Sequence, residues 1–262
     1  MSVLIKLDNL WKSFDGNTVL AGLSMAVREC EFVALIGKSG DGKSVLLRHM
    51  AGLMQPDRGS VSVEGKNLQS LHGRELTRLR RRFGFVFQSG ALFDSMTVFD
   101  NVAFPLREKT RMPEETVREK VMQSLAQVGL QDDARKVPAQ LSGGMTKRAA
   151  LARALVTEPE IMFFDEPTTG LDPIIGHAIL DLIHGCQRDC RFTGVIVTHQ
   201  LEPVFDIVSR VAMLHKGTIR FTGTPEEIWT SPDPLVREFV SGNIHGLRKK
   251  QNRKGGHEQE DC

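Results

Sequence analysis

The 262-residue chain has no tyrosine, two tryptophans and four cysteines. The cysteines, Cys30, Cys186, Cys190 and Cys262, are scattered. Only Cys186 and Cys190 stand close, at i, i+4 spacing, and no second pair completes a zinc site. Reduced thiols in a reducing compartment are therefore expected. No run reaches the roughly 18 apolar residues of a membrane span, and the opening "MSVLIKLDNLWKSF" carries no apolar core of signal-peptide length. Charge of one sign is also scarce: the net value is +2, too small to argue for nucleic acid. The basic stretch Arg248 to Lys254 reads as a solvated tail. No internal repeat is present. The chain is expected in the cytoplasm, reaching a membrane only through partners.

Composition is that of an ordinary globular protein, enough for one large domain with a subdomain. "EFVALIGKSGDGKSVLLRHMAGL" reads as a buried strand from Phe32 to Ile36, a glycine-rich loop, and a helix ending near Gly52. "GSVSVEGKNL" alternates like a strand and turns at Gly65. From Ser89 to Pro159 the period becomes helical, with Val117, Val121, Leu125 and Val128 on one face and Gly129 as a stop. The continuous apolar runs "IMFF" (Ile161 to Phe164) and "VIV" (Val195 to Val197) suit parallel strands covered on both faces. "TPEEIW" opens a late helix with a capping box on Thr224 and Glu227. These features predict an α/β core interrupted by helices, with a domain over residues 1–242, a helical subdomain at about 89–160, and a flexible tail at 243–262.

The chemistry concentrates in a few places. "GKSGDGKS", comprising Gly37, Lys38, Ser39, Gly40, Asp41, Gly42, Lys43 and Ser44, matches G-x-x-x-x-G-K-[ST] between a strand and a helix. Its glycines let successive amides wrap a phosphate. Lys43 is placed to reach the terminal phosphates and Ser44 to ligate Mg²⁺. "IMFFDEP" puts Asp165 and Glu166 at a strand's carboxyl end, where ligands bind in open parallel sheets. Asp165 is expected to hold Mg²⁺ through water, and Glu166 to polarise an attacking water. His199 in "VIVTHQ" ends another strand within reach of a γ-phosphate. "LSGGMTKRAALARAL" opens a helix on Ser142, Gly143 and Gly144, and such an entry offers unpaired amides to an anion.

Together these motifs resemble the nucleotide-binding subunit of an ABC transporter, over about Leu4 to Gly242. The resemblance assigns "GKSGDGKS" to Walker A, Gln88 in "VFQSG" to the Q-loop, "LSGGM" to the signature, "IMFFDE" to Walker B, Asp172 in "TGLD" to the D-loop and His199 to the H-loop. It implies a P-loop NTPase fold with a RecA-like core, an antiparallel β edge and a helical subdomain. Its cofactors are ATP and Mg²⁺, the metal being held by Ser44, Gln88 and Asp165. It also implies a head-to-tail dimer in which Ser142, Gly143 and Gly144 contact the γ-phosphate on a second chain's Walker A loop. Phe14 falls where family members place an aromatic on adenine, usually tyrosine; Trp11 competes for that role, and a core position for Phe14 is the plain alternative. The chain departs from the common pattern at Met145, where glutamine is usual, at Val45, where threonine is frequent, and at Asp41, expected to point to solvent.

"QSGALF", "VFDNVAFPLRE" and "SPDPLVREFVSG" further resemble ATPases of Mla and Mce-type lipid transport systems. That likeness implies phospholipid traffic between bacterial inner and outer membranes, from the cytoplasmic side of the inner membrane. The partners would be an integral membrane permease, docking near Leu92, Phe93, Met96, Val98 and Phe99, a lipid-binding Mce protein, and in some systems a STAS-domain regulator. An importer of amino acids or other small solutes is the alternative. A soluble ABC ATPase of translation or DNA repair would carry a second cassette or a coiled-coil or zinc insertion. A P-loop kinase would lack "LSGGM".

Overall fold

The computed structural model describes residues 2–242; the tail 243–262, expected to be flexible, lies outside the described residues. Two sheets organise the chain. β1 (Val3–Phe14) and β2 (Asn17–Arg28) pair antiparallel. With β4 (Arg58–Val63) and β5 (Lys66–Asn67) they form a four-stranded sheet in the order β2-β1-β4-β5. The second sheet has six strands. Its members are β3 (Phe32–Ile36), β6 (Phe83–Val86), β7 (Ile161–Asp165), β8 (Thr193–Val197), β9 (Arg210–His215) and β10 (Thr218–Gly223). Their order is β10-β9-β3-β8-β7-β6, parallel except for the β9–β10 hairpin.

The short apolar strands are buried on both faces because each divides its side chains between two cores. Val33 and Leu35 of β3, with Phe163 of β7 and Val197 of β8, enter a core shared with β1 and β2. Phe32, Ala34 and Ile36, with Phe164 and Ile196, enter the other, shared with the helices. The period-two geometry of a strand makes this division automatic. Burial of this kind stabilises by about 25 cal/mol per Å² of apolar surface.

Among the described residues the helices are α1 (Lys43–Met50), α2 (Gly73–Arg80), α3 (Val98–Lys109), α4 (Glu114–Gln127), α5 (Gly143–Leu155), α6 (Pro173–Cys190), α7 (Glu202–Phe205) and α8 (Pro225–Trp229), with residues 234–242 also helical. α3, α4 and α5 pack on one another. Val117, Val121 and Leu125 of α4, with Val128 just beyond, are buried as their spacing predicts, and Gly129 ends the run at a positive φ of 69°. The capping box on Thr224 and Glu227 is present. Sequence patterning did not reveal β1 and β2 as long strands, because bulges at several points break their alternation. No helix among the described residues is long and apolar enough to cross a membrane.

Candidate functional site

Every loop that carries a motif of the core leaves the carboxyl end of a parallel strand. The glycine loop follows β3, Gln88 follows β6, Glu166 follows β7 and His199 follows β8. This is the edge where open α/β sheets bind ligands.

The glycine loop has its shape because side chains are excluded from it. Gly37 and Gly42 have φ of 149° and 96°. A Cβ at Gly37 would meet the Leu214 carbonyl oxygen at 2.4 Å, and one at Gly42 would meet Val19 Cγ1 at 2.8 Å. Gly42 precedes α1 without a side-chain cap, so first-turn amides of that helix lack a side-chain acceptor, as an anion site requires. Lys43 is buried and donates to the carbonyls of Gly37 and Lys38, each at 2.9 Å. Burial pushes its ammonium below the ordinary lysine range, while Glu166, Asp41 and Asp165 oppose that shift.

Asp41 corrects one expectation. Its carboxylate does not point to solvent: Oδ2 accepts from the Lys38 amide at 2.9 Å and Oδ1 from the Lys216 amide at 3.2 Å. The turn between β9 and β10 presents an unpaired amide there, and a carboxylate is the strongest acceptor in reach. The side chain thus ties the loop to the neighbouring hairpin.

Ser44 and Asp165 meet directly, with Ser44 Oγ donating to Asp165 Oδ1 at 2.7 Å. Asp165 is buried at the end of β7. Glu166 follows at a positive φ of 48°. Its Oε2 accepts from Thr169 Oγ1 at 2.7 Å and faces His199 Nδ1 at 3.3 Å. Two oxygen donors already paired, in a corner where one ammonium faces the carboxylates of Asp41, Asp165 and Glu166, fit a hard divalent cation such as Mg²⁺.

A cavity of about 360 Å³ opens beside the loop, lined by Gly37, Lys38, Ser39, His199, Glu238, Phe239 and Gly242. The last three belong to helical residues 234–242 and were not read as site residues. Their register against the loop depends on the intervening fold, so only "SPDPLVREFVSG" as a string could have flagged them. Glu238 approaches Lys38 Nζ at 3.8 Å.

The remaining motif residues lie elsewhere. Ser142 caps α5, its Oγ accepting from the Met145 amide at 3.3 Å. Gly143 and Gly144 face Leu171 and Ile175, and a Cβ at Gly144 would meet Ile175 Cγ2 at 2.8 Å. Asp172 caps α6, its Oδ1 accepting from the amides of Ile174 and Ile175. Neither the signature residues nor Asp172 line the cavity beside the glycine loop. Phe14 is not in the core: it is 38% exposed, with Lys12 Nζ 5.4 Å from its ring centre. It too is outside that cavity. Trp11 donates its indole N–H to Asn9 Oδ1 at 3.1 Å and covers Gly22. Val45 is half-buried against the β1–β2 core. Gln88 is exposed on its own strand end, and its carbonyl accepts from the Lys147 ammonium of α5.

An uncapped helix behind a glycine loop, with a buried aspartate and a following glutamate on a parallel strand, defines a P-loop nucleoside-triphosphatase. The ABC transporter family model matches residues 20–169, more than half of the chain, and the chain belongs to that family as an ATP-binding, ATP-hydrolysing cassette. The chain is 38% identical over 243 residues to the intermembrane phospholipid transport system ATP-binding protein MlaF of Haemophilus influenzae, covering 93% of this chain and 92% of the relative. It is 40% identical over 246 residues to the probable ribonucleotide transport ATP-binding protein mkl of Mycobacterium tuberculosis, covering 94% and 68% respectively. Among solved structures, a dimeric ATP-binding cassette in a post-hydrolysis state with ADP and Pi superposes with a TM-score of 0.78 at 33% identity, covering 85% of this chain and 99% of that one.

Proposed function

We propose that this chain powers phospholipid movement between two membranes by hydrolysing ATP at the interface of two copies, in complex with separate membrane subunits. The observation that carries the cargo is the likeness to MlaF, which extends over more than nine-tenths of both chains. The dimeric relative with ADP and Pi supports the paired arrangement.

The residue roles combine the geometry of the glycine loop and strand ends with what the family resemblance implies. The amides of the Gly37–Ser44 loop and the N-terminus of α1 receive the phosphates. Lys43 exchanges its bonds to the Gly37 and Lys38 carbonyls for phosphate oxygens. Ser44, Asp165 and Gln88 would hold Mg²⁺, which would neutralise phosphate charge. Glu166 accepts the proton of the attacking water, and His199, beside it, contacts the γ-phosphate. Ser142, Gly143 and Gly144 present the α5 N-terminus to the nucleotide of the second copy, and Phe14 is the aromatic for the adenine. Residues at about 89–160 form the helical subdomain, and Leu92, Phe93, Met96 and Phe99 border the permease; Val98, fully buried in the core under the helices, cannot line that groove as expected. The further partners are an Mce-type lipid-binding protein and, in some systems, a STAS-domain regulator, at the cytoplasmic face of an inner membrane.

The Mycobacterium relative bears a different cargo in its name, which fits a scheme where the membrane subunits choose the cargo. Purifying the tagged chain gently from its native membrane separates the readings. A permease with an Mce-domain protein and bound phospholipid is the expected outcome. A permease with a soluble solute receptor would overturn the cargo and leave the ATPase.

A further inference from the structure

Gln88 belongs by chain connection to β6, in the sheet that carries the glycine loop. Its backbone is nevertheless held by α5. Lys147 donates to the Gln88 carbonyl, and Arg153 donates to the carbonyls of Gly90 and Ala91, each at 2.7 Å. Gly90 lies against the same helix, where an added Cβ would meet Thr146 Cγ2 at 3.2 Å and Ala150 Cβ at 3.5 Å. Thr146, Lys147, Ala150 and Arg153 share one face of a helix, by i, i+3 and i+4 spacing. So the segment 88–91 is strapped to the face of α5 whose N-terminus is Ser142.

Lys147 is 7% exposed. Burial lowers its ammonium below the ordinary range, and the charge of the Glu166 carboxylate partly offsets this. A buried ammonium needs an acceptor, and Lys147 finds one in the Gln88 backbone carbonyl. We infer that Lys147 is a positioning residue for Gln88: by fixing its carbonyl from α5, it sets where the Gln88 amide stands relative to the Ser44–Asp165 pair. The inference rests on the reading that Gln88 serves the cation site.

The test uses the full-length protein with its partners for turnover, and the nucleotide-free chain for exchange. Lys147→Met is expected to raise the Mg²⁺ concentration for half-maximal ATPase about tenfold, the usual range for a second-layer residue, with the KM for ATP little changed. In the nucleotide-free chain, the amides of residues 88–91 are expected to exchange faster by about tenfold, as a locally loosened segment does. Lys147→Arg is expected to restore both. In a Gln88→Ala background, Lys147→Met should add no further Mg²⁺ shift. An unchanged Mg²⁺ midpoint in Lys147→Met, or a shift that adds fully to that of Gln88→Ala, overturns the inference and leaves the site reading standing. If Gln88→Ala alone leaves the midpoint unmoved, the role of Gln88 falls and the inference falls with it. Should Lys147→Met fail to fold, Lys147→Gln, polar but too short to reach the carbonyl, takes its place with the same expectations.

Discussion

Among the described residues, two helix N-termini carry the motifs read as anion sites, and they are built differently. α1 begins at Gly42 with no side-chain cap, and the chain itself surrounds it with Lys43, Ser44, Asp165 and Glu166. α5 begins at Ser142, which caps its own helix, and its glycines face the apolar side chains of Leu171 and Ile175. The first is a site assembled within one chain. The second is an edge whose hydrogen bonds are met locally, and in the proposed function its ligand is the nucleotide of a second copy. Under the proposed function, half-sites of this kind make the cassette work only on closure with another copy.

The sharpest way to probe the first half is Glu166→Gln. Loss of a general base costs about 100-fold or more in turnover, while ATP binding and the ATP-bound dimer persist. Normal turnover in that variant removes Glu166 from catalysis.

The comparison itself breaks or holds on mixed chains. Lys43→Ala and Ser142→Ala proteins are each expected to lose about tenfold or more in turnover, as removal of a phosphate-stabilising donor does. Mixed together, they form heterodimers with one intact composite site, and part of the activity returns. If Ser142 served the loop of its own chain, no mixture would recover anything.

Ser44→Ala tests the pairing inside the first half. It leaves Asp165 buried without its hydroxyl partner, at a cost of about 1–3 kcal/mol, visible in thermal unfolding without nucleotide. The Mg²⁺ requirement should rise in parallel. An unchanged melting temperature would mean that the bond to Asp165 contributes little without ligand.

The smallest effect concerns the joint between the two sheets. Arg82 bridges Glu64, at 2.5 Å, and Glu160. The guanidinium holds the Glu64 carboxyl below its ordinary value of 4.5. A carboxyl depressed on folding adds stability above its unfolded pKa and loses it as pH falls through the folded value. Melting temperature should therefore drop on acidification below pH 4.5, and Arg82→Met should flatten that dependence. The pair is solvent-exposed, so its share is under about 1 kcal/mol.

Local patterns were legible because their physics is local. The strand Phe32–Ile36, the loop after it, the face of α4 and the capping box at Thr224 all follow from neighbours a few residues apart. The doubtful points were those that depend on distant partners. Asp41 looked like a solvent residue until the Lys216 amide, far along the chain, supplied a donor. Phe14 could have stacked or packed; its place on the exposed end of β1 was decided by the pairing of that strand with Asn17. Glu238 and Phe239 carry no motif, and only the fold brings them to the glycine loop.

The sequence by itself determined which groups this chain has for handling a nucleotide, since spacing alone makes a phosphate loop or a helix entry. Tertiary structure decided which of them meet. Ser44 reaches Asp165 because β3 and β7 flank β8 in one parallel sheet, and Lys147 reaches Gln88 because α5 packs beneath the strand end of β6. Hydrogen bonds act over about 3 Å, so a contact between residues distant in the chain is fixed only when packing brings their elements together.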